Sequence, residues 1–227
     1  MNPVQTSFEN IQALGHGIYT YPEAARLVGV ESRRIRAWFK GMPGRPGPVI
    51  HGEYDADAIS FAGLIDSLVV GKLREFGVSM QYLRKVHEQL LHEFDMPHPF
   101  CRKNLLTDGR RVWIELADVF GEWQLKEVLT QQHAFPSILR NSLQPIEYDS
   151  DTLLAKQWNV FDNVIVNPKI KYGKPVVKTA GIPTAILAAA YEANSQDEIA
   201  VANWYDITID EVRAAVQFEQ HMGRQVA

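Results

Sequence analysis

Two short helical patterns that meet at a glycine constrain this chain more than any other feature. Pro22 suits a first helical turn, and Ala24, Ala25 and Val28 are spaced to form one inner face. Gly29 supplies the turn residue, after which Glu31 or Ser32 is placed to cap a second helix over 33–40. In that second helix Ile35, Trp38 and Phe39 stand at i, i+3 and i+4, so all three turn inward. The pattern from Thr20 to Lys40 reads as a helix-turn-helix, in which the first helix and the turn hold the second at a fixed angle.

What the second helix turns outward is basic. Arg26, Arg33, Arg34, Arg36, Lys40 and Arg45 face one acid, Glu31, over 26–45, giving that segment +5. The whole chain carries −4, so the remainder stands at −9. A local basic patch on an otherwise acidic protein is the footprint expected for a polyanion. Ser32, Arg33, Arg34 and Arg36 lie at the helix end that reaches base edges when such a helix enters the major groove. Arginine is suited to bidentate contact with guanine, and Arg33 and Arg36, three apart, share a face. Arg34, Lys40 and Arg45 are assigned to phosphates, which position a protein without reading sequence. The plain alternative is a solvated basic face, but acids are nearly missing from the span.

At 227 residues the chain exceeds the usual size of one domain, and modules of different kinds are expected along it. Residues 8–14 form a short amphipathic arm. The run 41–48 alternates Gly and Pro around Arg45, and it is read as a rigid, wing-like loop leading to a short strand over 49–54. Asp55 is expected to open a nearly all-apolar helix containing Ile59, Phe61, Leu64, Ile65, Leu68, Val69, Val70 and Leu73. Gly77 breaks it, and Ser79 caps an amphipathic helix reaching Phe94. A hairpin is expected over 105–116 around Asp108-Gly109. A weaker stretch follows, with a helical piece over 123–132. From Val164 a second unit begins, with strands at 164–166 and 174–177. Helices follow at 184–192, at 196–203 capped by Ser195, and at 209–220 capped by Thr208, with a turn at 204–207. The predicted fold is mainly α with small β-hairpins. It divides into a winged helix-turn-helix domain (1–54), a helical dimerisation region with a hairpin (55–117), a linker region (118–162) and a C-terminal tri-helical, helix-turn-helix-like domain (163–227).

Several function classes are excluded or left without support. No apolar run approaches the roughly 18 residues that span a bilayer, and residues 1–10 lack the features of a signal peptide. The single cysteine, Cys101, rules out an intrachain disulfide framework and agrees with a reducing compartment, so a bacterial cytoplasmic protein without a membrane partner is expected. His98 and Cys101 have no second ligand pair at zinc spacing, and His87 and His92 diverge on their helix. No cofactor is expected, no acid–base or nucleophile set assembles an enzyme, and Cys101 is read as a buried, inert thiol. The five tryptophans are scattered as core anchors would be.

Two resemblances sharpen this reading. Tyr21-Pro22, Glu23-Ala24-Ala25, Leu27, Gly29-Val30, the run Arg33-Arg34-Ile35-Arg36-Ala37-Trp38 and the later Leu73-Arg74-Glu75-Phe76-Gly77-Val78-Ser79 resemble the MerR group of regulators. That resemblance implies a wing after the recognition helix and a homodimer built by later helices, here 61–73 and 79–94. In the C-terminal part Val164-Ile165-Val166-Asn167-Pro168, Gly173-Lys174-Pro175-Val176-Val177, Ile182-Pro183, Glu198-Ile199-Ala200, Tyr205, Glu211-Val212 and Ala214-Ala215 resemble a small domain family found in antitoxins. Together the two resemble a VapB-type antitoxin over roughly three quarters of the chain. One departure is Gly181, where that family usually carries an arginine before the Ile-Pro pair.

The resemblance implies an antitoxin of a type II toxin–antitoxin system, with two partners. One is operator DNA, by which the operon is repressed. The other is a PIN-like ribonuclease toxin whose acidic pocket is covered, or entered by a cation. Lys169, Lys171, Lys174 and Lys178 form one basic group for that contact, and Arg224 on the tail is the other. The competing reading is a free-standing MerR-like regulator whose C-terminal part senses a small molecule or another protein.

Overall fold

The structure is a computed structural model that describes residues 17–44, 47–51, 57–102, 105–107, 112–117, 123–127, 133–134 and 145–224; between 105 and 134 the description covers backbone pairing. Helix predominates among these residues, with small sheets beside it. The chain divides into two compact units, one drawn from 19–144 with 148–155 and the other from 145–147 with 156 onward.

The first unit opens on β1 (Tyr19–Thr20), which pairs antiparallel with β2 (Ala58–Ile59). Helix α1 (Tyr21–Val28) starts where Thr20 leaves β1. Thr20 Oγ1 accepts from the Glu23 amide at 3.4 Å, and the Glu23 carboxylate accepts from the Thr20 amide at 2.8 Å, so each satisfies a backbone donor the helix end would orphan. Gly29 ends α1 in the left-handed region at φ 75°, where a side chain would be strained. Helix α2 (Ser32–Lys40) follows and buries Ile35, Trp38 and Phe39, the three residues whose spacing predicted it.

Helix α3 (Phe61–Glu75) is the floor under α1 and α2. It is buried without interruption from Phe61 to Gly71, as its all-apolar sequence demands. Gly71 lies beneath Val28, Val30 and the Trp38 ring, so α3 passes close under the turn. Helix α4 (Met80–Phe94), capped by Ser79 as expected, buries Leu83, Val86, His87 and Leu90 and leaves a polar outer face. After a short 3-10 turn (Pro99–Cys101), β3 (Leu105–Thr107), β4 (Val112–Ala117), β5 (Trp123–Glu127) and β6 (His133–Ala134) form an antiparallel sheet in that order.

Several expectations need correction here. The helical piece expected over 123–132 is a strand through Trp123–Glu127, paired with β4 in the register Ala117↔Trp123. Trp-Gln-Leu-Lys-Glu alternates apolar and polar residues, and a neighbouring edge to pair with overrides helix propensity. The strand expected over 49–54 is not formed by Val49, Ile50 or His51. The amides of Val49 and Ile50 instead donate to the Trp38 carbonyl, at 2.8 and 3.0 Å, and the short strand lies later at β2. The apolar helix starts at Phe61 because the Ser60 hydroxyl accepts from the Gly63 amide, at 3.0 Å, and fixes the terminus. The arm at 8–14, Asp55 and the Asp108-Gly109 turn lie outside the described residues.

In the second unit β7 (Ile146–Tyr148), β8 (Ala155–Phe161), β9 (Val164–Val166) and β10 (Val176–Val177) form a four-stranded sheet. Helices α5 (Thr184–Ala193), α6 (Glu198–Tyr205) and α7 (Ile209–Arg224) follow. Val177, Leu187, Val201, Ala202, Val212 and Ala215 make their common core. Thr208 caps α7 as expected, in a reciprocal pair with Glu211. Asp197, rather than Ser195, caps α6: its carboxylate accepts from the Ile199 and Ala200 amides, both at 3.0 Å, while Ser195 sits in the preceding turn at φ 53°. Trp204 and Tyr205 remain helical, so the turn begins at Asp206, whose φ is 54°. Trp38 and Trp158 are buried anchors, but Trp204 is 65% exposed, contrary to the expectation for all five tryptophans.

Candidate nucleic-acid interface and C-terminal basic surface

Burial of Ile35, Trp38 and Phe39 fixes how α2 is rotated, and the basic residues point the other way. Arg33, Arg34, Arg36 and Lys40 are exposed and Ser32 is half-buried; Arg45 lies outside the described residues. The loop after α2 is tied at its far end. Arg84 Nε of α4 donates to the Gly47 carbonyl at 2.7 Å, and Val49 and Ile50 close back onto the end of α2.

The electrostatics of this face include two acids that the residue spacing did not flag as partners. Glu31 occupies the backbone position that caps α2, yet its side chain makes no capping bond; it accepts from Arg33 Nε instead. The hydrogen bond from Arg33, and then its charge, hold the Glu31 carboxyl below its usual range. Asp57 lies 3.8 Å from the Arg36 guanidinium. Both arginines remain open, with side chains 80% and 64% exposed. Asp57 sits 21 positions after Arg36 in sequence, so only the fold brings it there; Glu31 is legible as a neighbour, but its place before the helix suggests a cap and not an arginine partner.

Behind this face lies a polar cluster that sequence spacing also missed. Asp66 of α3 is fully buried, with His98 Nδ1 at 3.0 Å and His87 Nε2 at 3.6 Å. Burial pushes the Asp66 carboxyl upward, and the two imidazoles outweigh it, holding the group below its ordinary value. Cys101 is buried beside it, its thiol donating to the Ala62 carbonyl at 3.2 Å, as expected of an inert thiol. His87 packs edge-on against Phe100, ring centres 5.1 Å apart, while His92 points outward. The signal was present: Asp66 is the one acid within a run of apolar residues. Among the described residues no group of three or more His, Cys, Asp and Glu is arranged to hold a metal.

In the second unit Lys169, Lys171 and Lys174 lie exposed on the connection between β9 and β10, and Lys178 lies exposed just after β10. Lys171 and Tyr172 adopt left-handed conformations at φ 47° and 56°, closing the predicted turn as a 3-10 segment. Lys178 is 3.5 Å from Glu147, whose carboxyl is held low first by the Asn159 amide and then by the lysine charge. Arg224 is exposed at the end of α7. Gly181, at φ 65°, occupies a position where an arginine would be strained.

No protein-family model matches the chain. A mainly helical chain with small sheets in this arrangement is found in a crystal structure of Rv2018 from Mycobacterium tuberculosis, with a TM-score of 0.62 and 23% identity, covering 87% of this chain and 96% of that one. In sequence, the chain is 27% identical over 223 residues to a protein of Mycobacterium tuberculosis (strain ATCC 25618 / H37Rv) named "Putative antitoxin VapB45". That alignment covers 88% of this chain and 92% of the relative. Among the described residues no helix is long and apolar enough to cross a membrane.

Proposed function

We propose that this chain is the antitoxin of a type II toxin–antitoxin system, a cytoplasmic homodimer that represses its own operon through α2 and neutralises a PIN-like ribonuclease toxin. The observation that carries the reading is the likeness, over 88% of the chain, to a protein named as an antitoxin of the VapB type. Because that likeness runs through both units, it favours an antitoxin over a free-standing MerR-like regulator with an unrelated sensor.

DNA recognition would use α2 as the helix of a winged helix-turn-helix. Arg33 and Arg36 read base edges, with Ser32 at the same end of the helix, while Arg34, Lys40 and Arg45 hold the backbone, Arg45 from the loop that Arg84 anchors. Toxin binding is assigned to the C-terminal tri-helical part. Lys169, Lys171 and Lys174 offer exposed cations that a pocket of metal-binding carboxylates would attract, with Lys178 and Arg224 as further donors.

The test is growth of a host expressing the small reading frame adjacent to this gene, with and without the full-length chain. Rescue from a toxic neighbour supports the antitoxin, and loss of rescue on changing the four lysines to Glu places the contact. A harmless neighbour overturns the antitoxin reading in favour of the regulator. For the DNA arm, an Arg33→Ala, Arg36→Ala double variant should lose sequence-specific binding while keeping its fold; unchanged binding removes α2 as the recognition helix.

A further inference from the structure

Arg33 is exposed on the outer face of α2, and its guanidinium is not left to wander. Its Nε–H is engaged by the Glu31 carboxylate, which reaches it from the residue that precedes the helix. A guanidinium has five N–H donors in a fixed plane, so a carboxylate on Nε fixes the plane and leaves the fork of two terminal nitrogens facing outward. That fork is the half of arginine that pairs end-on with O6 and N7 of guanine.

We propose that Glu31 is a specificity-determining positioning residue, which holds Arg33 with its terminal fork presented for one guanine of the bound DNA. The inference rests on the DNA-binding reading above and adds to it the residue that organises the contact.

Three observations support it. Glu31 makes no capping hydrogen bond to α2, so its side chain serves Arg33 and not the helix end. The hydrogen bond from Arg33, then its charge, with a smaller contribution from Arg34, keep the carboxylate ionised where it is needed. Arg36, three residues on and on the same face, has an acid in its surroundings too, Asp57 at 3.8 Å from a terminal nitrogen, so both arginines assigned to base edges lie near carboxylates.

The arrangement has a cost that makes it testable. A carboxylate close to the DNA backbone is repelled by phosphates and weakens binding to every sequence alike, whereas a preset arginine favours the correct one. Glu31 therefore trades general affinity for discrimination, and removing it should change the two in opposite directions.

The experiment is selection of bound duplexes from a pool with a randomised core, using the full-length chain, followed by titration of a random duplex across salt concentrations. The wild type should recover a motif with a guanine that disappears in Arg33→Ala. Glu31→Ala should weaken preference for that same guanine by about fivefold or more, leave other positions intact, and bind the random duplex more tightly. Glu31→Gln, which keeps an acceptor oxygen but no charge, should retain part of the preference. Melting curves accompany each variant, since a merely structural role would lower stability and weaken all positions together. The proposal is overturned if Glu31→Ala leaves the guanine preference untouched, or if the loss spreads evenly over the motif. If the wild type binds no DNA, the DNA-binding reading itself falls, which is a different result from a motif that ignores Glu31.

Discussion

A buried carboxylate with two imidazoles, Asp66 with His87 and His98, sits in the core that supports the proposed recognition helix. Removing one partner of such a set leaves the others buried and uncompensated, which typically costs about 3 to 5 kcal/mol. Asp66→Ala should therefore lower stability to chemical denaturant by about that amount. Its pH dependence follows from the direction of its shift. The folded carboxyl titrates below its unfolded value, so its contribution is complete above the ordinary aspartate range, near pH 4, and is lost as pH falls through the lower folded value. The part of the stability gap between wild type and Asp66→Ala that comes from the ionised carboxylate should close in strong acid. A gap that persists undiminished in strong acid would mean that Asp66 is not ionised in the folded cluster.

At the scale of elements, α1 is set by its ends. Thr20 and Glu23 exchange hydrogen bonds at the start and Gly29 stops the helix, so Thr20→Ala should cost about 1 kcal/mol and lower the melting temperature by a few degrees without altering the mature fold. The same local signals explain what could be read from the chain unaided. Pro22, Gly29, Ser79, Thr208 and the spacing of Ile35, Trp38 and Phe39 act within a turn or two, and α1, α2, α4 and α7 appear where those residues put them. What depended on distant partners was not legible. Trp123–Glu127 became a strand because β4 lay beside it, and the apolar helix gained its starting point from the Ser60 hydroxyl and not from Asp55. Of the candidate site, the exposure of Arg33, Arg34, Arg36 and Lys40 followed from the buried face of α2, whereas the pairing of Arg36 with Asp57 required the folded chain.

For the molecule as a whole, the decisive quantity is where its charge lies. In a chain of net charge −4, the +5 concentrated over 26–45 makes that segment of the first unit the one expected to draw the proposed operator DNA. Each phosphate contact releases condensed counterions, so Lys40→Ala should reduce the slope of log affinity against log salt by about one unit and weaken all sequences equally. A variant that changed sequence preference while keeping the slope would move Lys40 from the backbone to the bases. This electrostatic footprint belongs to the first unit. The lysine-bearing surface belongs to the second, so, on the proposed function, changes to the two basic groups should separate loss of DNA binding from loss of toxin binding.

The sealed position of Cys101 gives the protein an internal clock. It is the chain's one thiol, and in the folded state no alkylating reagent can reach it. Labelling must wait for the surrounding helices to part, so its rate, divided by that of an unprotected thiol, measures how often this core opens. A ligand that binds only the closed form slows labelling in proportion to its occupancy. The proposed partners, operator DNA and a toxin, could then be compared by how far each holds this core shut.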